Sequence, residues 1–260
     1  MSDFVLEAVG LRKRFGGLLV TRDVDIRLSV GDRHALIGPN GAGKTTLVGL
    51  LSGTLAPDAG RIIIKGRDCT DEAAARRVKR GLVRTFQVTN LFAHLTVFEN
   101  VYLAASEHLG AARGMLRAAG AQKPVIERAS AIIEELGLQA DQSRRIDEIA
   151  YGRQRLVEIA IALALEPAIL LLDEPAAGIP SGELPLLLDA IERLPKDIAI
   201  LMIEHDMQVV RRFASEVTVL VHGAVLMSGR PDDVMASEQV RAVYLGKSGR
   251  DRFESGKLHA

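Results

Sequence analysis

The sequence has no tryptophan, and aromatic residues make up only 4% of its 260 positions. A surface that grips single-stranded nucleic acid by stacking bases on rings is therefore not expected. Neither charge is in excess: Lys plus Arg and Asp plus Glu number 33 each, so no global field favours a polyanion and no nucleic-acid partner is expected. The single cysteine, Cys69, excludes an intrachain disulfide, suits a reducing compartment, and reads as a small residue near a turn. Long apolar runs are also missing. The longest, 159–165 and 168–172, are too short to span a bilayer. Residues 1–7 carry acids and no extended apolar stretch, so no signal peptide is expected. Work at a membrane would have to go through a partner.

What is present is an ordinary globular balance, 48% hydrophobic and 25% charged. Val24, Ile26, Leu28 and Val30 alternate with polar residues and predict a half-buried strand that ends at Gly31-Asp32. A short buried strand over 34–37 precedes a helix over 44–52, with Gly53 placed to cap it. A strand over 61–65, a helix over 71–80 and a strand over 82–86 follow. From 90 to 150 the pattern turns helical, with Ala129, Ile132, Ile133 and Leu136 at helical spacing and a Gly/Ala-rich stretch at 110–121. Alternation then resumes: an apolar helix over 156–165, buried strands over 168–172 and 198–203 around a helix over 184–194, and a hairpin turning at His222-Gly223. Strands alternating with helices predict a mostly parallel sheet covered on both faces. The division expected is an α/β core from 1–89 and 151–235, a helical insertion at 90–150, and a tail from 236 to 260 that is polar and frayed after Gly246.

Two strand ends carry the chemistry. Gly38-Pro39-Asn40-Gly41-Ala42-Gly43-Lys44-Thr45 fits the phosphate-binding pattern G-x-x-x-x-G-K-[ST], which arises by chance in about one chain in a hundred of this length. Its glycines let backbone N–H groups converge on phosphate oxygens at a helix N-terminus, Lys44 bridges the β- and γ-phosphates, and Thr45 holds Mg²⁺. Asp173-Glu174 ends the buried strand at 168–172. Two carboxylates delivered from a buried strand are costly unless a cation or a proton relay uses them. Asp173 is the candidate Mg²⁺ ligand and Glu174 the candidate base for the attacking water. Gln87 and His205 follow two further strands, and in open α/β sheets ligands bind outside the carboxyl ends of the strands. All four strand ends are expected to face one crevice.

With these motifs in this order, the chain resembles an ABC transporter ATPase subunit over about residues 4–246. The resemblance implies a P-loop NTPase fold: a RecA-like core with a mostly parallel sheet, an antiparallel β subdomain and a helical ABC subdomain. It makes Gln87 the Q-loop glutamine that senses Mg²⁺ and the partner, and His205 the switch histidine at the γ-phosphate. Phe15 becomes the aromatic on adenine, and 149–155 the signature region. The implied nucleotide set is Phe15, residues 38–45, Thr46, Tyr151 and Gly152, with ATP and Mg²⁺ as ligands. Such subunits close head-to-tail around two ATP molecules, each between one P-loop and the other chain's signature. The implied assembly adds two membrane permeases and, indirectly, a substrate-binding protein, at the cytoplasmic face of the inner membrane.

The strings Arg14-Phe15-Gly16-Gly17, Val83-Arg84-Thr85-Phe86-Gln87, Glu174-Pro175-Ala176-Ala177-Gly178, Ile203-Glu204-His205-Asp206-Met207 and Val243-Tyr244-Leu245-Gly246 are similar to the branched-chain amino-acid uptake branch, as is Ala150-Tyr151-Gly152. Importers of other hydrophobic amino acids, amides or urea stay open, as do lipopolysaccharide export and soluble iron–sulfur cluster assembly. A non-catalytic scaffold is disfavoured by the intact Glu174. Two departures stand out. Ala150, Tyr151 and Arg153 replace the usual serine, glycine and glutamine of the signature, and Pro180 replaces an acidic or amide residue after Glu174. Both alter a site shared between chains, so the two sites of a dimer are expected to be unequal, most simply because the second ATPase subunit is a different chain. Two local expectations complete the reading: Arg76, Arg77, Lys79 and Arg80 form a solvated basic helix face, and Leu91, Leu95 and Phe98 either dock a permease helix or pack inside the insertion.

Overall fold

The computed structural model describes residues 4–85, 91–110 and 123–244. Two sheets form its frame. The smaller is antiparallel, four-stranded, in the order β2-β1-β4-β5, from β1 (Phe4–Phe15), β2 (Leu18–Ser29), β4 (Ala59–Ile64) and β5 (Arg67–Asp68). The larger has six strands in the order β10-β9-β3-β8-β7-β6, from β3 (Arg33–Ile37), β6 (Leu82–Arg84), β7 (Ile169–Asp173), β8 (Ala199–Ile203), β9 (Glu216–Val221) and β10 (Ala224–Gly229). All its neighbours are parallel except the β9–β10 hairpin.

The central strands are apolar throughout because both faces are covered. On β7, Ile169 and Leu171 face one core, shared with α1 (Lys44–Ser52) and the small sheet. Leu170 and Leu172 face the other, shared with α5 (Tyr151–Ala164), α6 (Leu184–Arg193) and α7 (Met207–Phe213). Each of these fully buried leucines is worth roughly 1.5–3 kcal/mol, so a one-residue slip of β7 would exchange the layers and is strongly disfavoured. Beside this frame α3 (Val97–His108), α4 (Lys123–Glu135) and α5 pack on one another through Val101, Ala105, Val125, Ala129 and Ile132. Thr96 and Glu99 close a capping box that starts α3.

Several expectations need correction. The long strand β1 and the first part of β2 were not expected from the sequence; bulges between Ala8 and Leu11 and again before Arg14 break the alternation that would reveal them. Helix α5 begins at Tyr151 rather than near 156, because its first turn is polar while its later turns are buried. The supposed basic face holds one buried arginine. Arg77, 1% exposed on the short α2 (Ala74–Lys79), donates to the Leu50 and Leu51 carbonyls and caps the end of α1. Helices α8 (Pro231–Ala236) and α9 (Glu238–Tyr244) follow the hairpin and bury Val234 and Val240, so the region expected to be a tail starts as packed helix. Leu91 and Phe98 pack against the core, whereas Phe92 is exposed. Cys69 is buried just after β5. Gln87, residues 111–122 and the segment after Tyr244 lie outside the described residues.

His34 on β3 gives this core a pH sensitivity. It is 3% exposed, its Nε2 pairs with the Thr218 hydroxyl at 2.8 Å, and Thr218 reaches Ser228 at 2.7 Å. Its Nδ1 has no hydrogen-bond partner, Glu216 standing 3.9 Å away. Burial pushes the ring down to about 4, partly opposed by Asp32. The unfolded chain takes up the proton first, so the contribution is complete above the unfolded value and is lost as pH falls from there towards 4. Up to about 3 kcal/mol is at stake. Urea titrations near pH 7.5 and pH 5 should show stability falling on acidification, and His34→Gln should flatten that fall.

Candidate nucleotide site

Register alone assembles the candidate site. Leu36 on β3 and Asp173 on β7 both pair with Ile203 on β8, so three strands end at one level. Past that level the chain gives Gly38 and its loop, Glu174, and Glu204-His205. The Glu174 N–H donates to the Ile203 carbonyl at 3.0 Å, and the Glu204 N–H to the Leu36 carbonyl at 3.4 Å. On the outer side the Thr85 N–H, just after β6, donates to Leu171 at 2.9 Å.

The loop at 38–45 is clamped from the flank. Gly223, in the left-handed turn of the β9–β10 hairpin, donates to the Ala42 carbonyl at 2.9 Å and accepts from the Arg22 N–H at 2.7 Å. A Cβ on Gly223 would come 2.1 Å from the Val20 carbonyl oxygen, and one on Gly43, at φ 100°, would come 2.8 Å from the same oxygen. Only glycine fits at either position. The loop then enters α1, whose N-cap Gly43 supplies no side chain, so the first-turn N–H groups remain available to an anion.

Lys44 is 8% exposed and folds back on its own loop, donating to the Gly38 carbonyl at 2.6 Å and to Pro39 at 3.1 Å. Burial holds its ammonium below the usual lysine range, while Glu174 and Asp173 pull the other way. Asp173 is 3% exposed and takes a hydrogen bond from Arg84 at 2.6 Å. Glu174 sits at φ 48°, a left-handed conformation that costs a non-glycine residue roughly 1–2 kcal/mol and fixes where its carboxylate leaves the strand. Glu204 is fully buried. It accepts from Ala176 at 3.0 Å and from the His205 N–H at 3.1 Å, and burial raises its carboxyl against those bonds. His205 itself stays half-exposed. Phe15, 47% exposed at the end of β1, has Lys13 5.7 Å from its ring centre.

The segment read as a signature region opens α5. Ala150 takes the N-cap position and supplies no side-chain bond. The cap comes instead from another loop: Glu183 Oε2 accepts from the Gly152 N–H at 2.8 Å. Tyr151 packs over Gly178 and accepts from Arg155 at 2.6 Å, and Arg155 also pairs with Glu158 at 2.8 Å. Arg155, Glu158, Thr85 and Asp173 line one small cleft, so this helix reaches the strand end of its own chain. Arg153 turns the other way, to the Gly137 carbonyl at 2.7 Å. Pro180, although it has no N–H, accepts at its carbonyl from Glu183 at 2.9 Å and Leu184 at 3.2 Å. Sequence reasoning missed Arg84 as a partner of Asp173 and Glu183 as a cap, because both contacts join distant segments and neither has a local signal.

The sequence pattern of the family described as ABC transporter matches residues 21–177. The chain belongs to the ABC transporter family. It is 37% identical over 255 residues to the high-affinity branched-chain amino acid transport ATP-binding protein LivG of Salmonella typhimurium, covering 95% of this chain and 100% of that protein. Identity to the corresponding protein BraF of Pseudomonas aeruginosa is 35% over 255 residues, with the same coverage. Among solved structures, the ADP conformation of an ATP-binding cassette of an ABC transporter superposes with a TM-score of 0.81 at 28% identity, covering 95% of this chain and 100% of that one. The mixed parallel and antiparallel sheets described above are thus the ABC cassette fold.

Replacing Glu183 with Ala should cost about 1 kcal/mol through loss of the α5 cap. A thermal melt reads that loss, and a Glu183→Asp variant whose shorter arm cannot reach Gly152 should share it.

Proposed function

We infer that this chain is the ATP-hydrolysing subunit of an ABC importer for branched-chain or other hydrophobic amino acids, seated at the cytoplasmic face of the membrane on its permeases. The observation that carries the reading is the common level of Leu36, Asp173 and Ile203 at the ends of three parallel strands, with Lys44 held in the electrostatic reach of Asp173 and Glu174. The names of the relatives carry the substrate class, in preference to lipopolysaccharide export or iron–sulfur assembly. Within this reading, 1–89 and 151–235 form the nucleotide-binding core, and 90–150 is the helical part that moves against a permease.

The residues divide the work. The N–H groups of the loop and of α1 cradle the phosphates. Lys44 gives up its two carbonyl partners for phosphate oxygens. Phe15, exposed at its strand end, stacks on the base, and the half-exposed His205 is free to turn to the terminal phosphate. Asp173 and the Thr45 hydroxyl hold Mg²⁺. The buried Asp173 carboxylate suits a hard, oxygen-liganded cation that would arrive with the phosphates and keep water ligands. Mg²⁺, when bound, neutralises charge developing on the transferred phosphoryl group. Glu174, fixed by its backbone bond to Ile203, orients the attacking water and takes its proton. Across a head-to-tail dimer, Tyr151 and Gly152 face the partner's nucleotide. Because Ala150 has no hydroxyl and Glu183 already occupies the Gly152 N–H, this chain brings a weakened signature to that shared site. A different ATPase subunit as partner restores one full-strength site.

Glu174→Gln should lower phosphate release by ~10²–10⁴-fold while leaving nucleotide affinity in place. Lys44→Ala should instead weaken nucleotide binding itself, read by calorimetry. Unchanged turnover in the Glu174 variant removes that residue from the role of base.

A further inference from the structure

Asp173, the carboxylate assigned to the metal, already has a cation. Arg84 Nη2 donates to Asp173 Oδ2 at 2.6 Å, and the two side chains are 16% and 2% exposed. The pair is set by the frame: Arg84 stands on β6 opposite Leu171, and the next residue, Thr85, is bonded through its N–H to the Leu171 carbonyl. A carboxylate withdrawn this far from water costs several kcal/mol as a lone anion. Lys44 does not supply the missing charge directly, since its ammonium is turned onto Gly38 and Pro39. Arg84 is itself constrained. Its Nε is buried with no hydrogen-bond partner among the described residues, so the Asp173 contact is the side-chain hydrogen bond that holds it there.

We propose that Arg84 is a positioning residue for the Mg²⁺ site, neutralising and orienting Asp173 while nucleotide is absent, so that the site takes the metal only together with phosphates. With the guanidinium on Oδ2 the pair carries no net charge, and a divalent cation arriving alone gains little from it. Phosphate oxygens bring the negative charge that makes the same place favourable. This role rests on the nucleotide-site reading above. A merely structural ion pair tying β6 to β7 has a different signature: its removal would weaken the fold equally with and without bound metal and nucleotide.

The test compares wild type with Arg84→Met, Arg84→Lys and the double variant Arg84→Met/Asp173→Asn, all in the full chain. The first readout is the affinity of the nucleotide-free protein for Mn²⁺ alone, by electron paramagnetic resonance. The second is the melting temperature without ligand and with saturating Mg·ADP. Arg84→Met should bind Mn²⁺ about tenfold tighter or more, because the competing positive charge is gone. It should melt lower than wild type without ligand, and Mg·ADP should close most of that gap. The double variant should recover ligand-free stability, and Arg84→Lys should follow wild type. Unchanged Mn²⁺ affinity, or an equal melting deficit in both states, overturns the proposal. Should Arg84→Met fail to fold, Arg84→Gln serves for the Mn²⁺ titration, and recovery by the double variant still decides the charge argument. The underlying reading fails differently: wild type would then bind ADP no more tightly with Mg²⁺ than with EDTA.

Discussion

The parallel register of three strands is the constraint on which the site depends. Leu36, Ile203 and Asp173 meet at one level because apolar side chains alternate between filled cores on the two faces of the sheet, and a one-residue slip would exchange those faces. Everything polar then follows from where those strands run out. The loop that can take phosphates, the acids that can take a cation and a proton, and the histidine that stays half-exposed are neighbours in space although they span residues 38 to 205. The hydrophobic core thus does the positioning. The polar groups contribute little to stability and are in part a burden on it, as the left-handed backbone at Glu174 and the fully buried Glu204 illustrate.

A second constraint ties the two halves of the chain together. The α5 N-terminus is capped by Glu183, which lies nine residues beyond the base candidate Glu174 on the same connection. Arg155 and Glu158 of α5 reach the cleft beside Asp173. A change at the strand end can therefore be felt at the start of α5 within one chain. Ala150 at the N-cap offers no side-chain acceptor, and the Glu183 carboxylate supplies one instead. A group of that charge at that helix end meets the same N–H that a phosphate would use.

How much of this was legible in the sequence depended on how local the signal was. The glycine-rich loop, the acids after a run of four apolar residues and Gly53 at the end of α1 are local patterns with one physical meaning each, and their elements fall within a residue or two of where the sequence puts them. Strand β1 was invisible because its bulges scramble the period of two. Arg77 read as a surface cation because nothing nearby shows that the carbonyls of α1 await it. Arg84 and Glu183 act on partners 89 and 31 residues away, and such contacts exist only once the sheet is built. The similarity of this chain to amino-acid transport subunits was carried by short strings spread along its length; each is weak alone, and their common order gives them weight.

The most direct measurement of the central claim is calorimetric titration of the chain with ATP in the presence of Mg²⁺. A single site per chain, with affinity lost on adding EDTA, is the result required by a loop, a lysine and an acid gathered at one sheet edge. No binding heat at millimolar ATP, or binding indifferent to Mg²⁺, would contradict it.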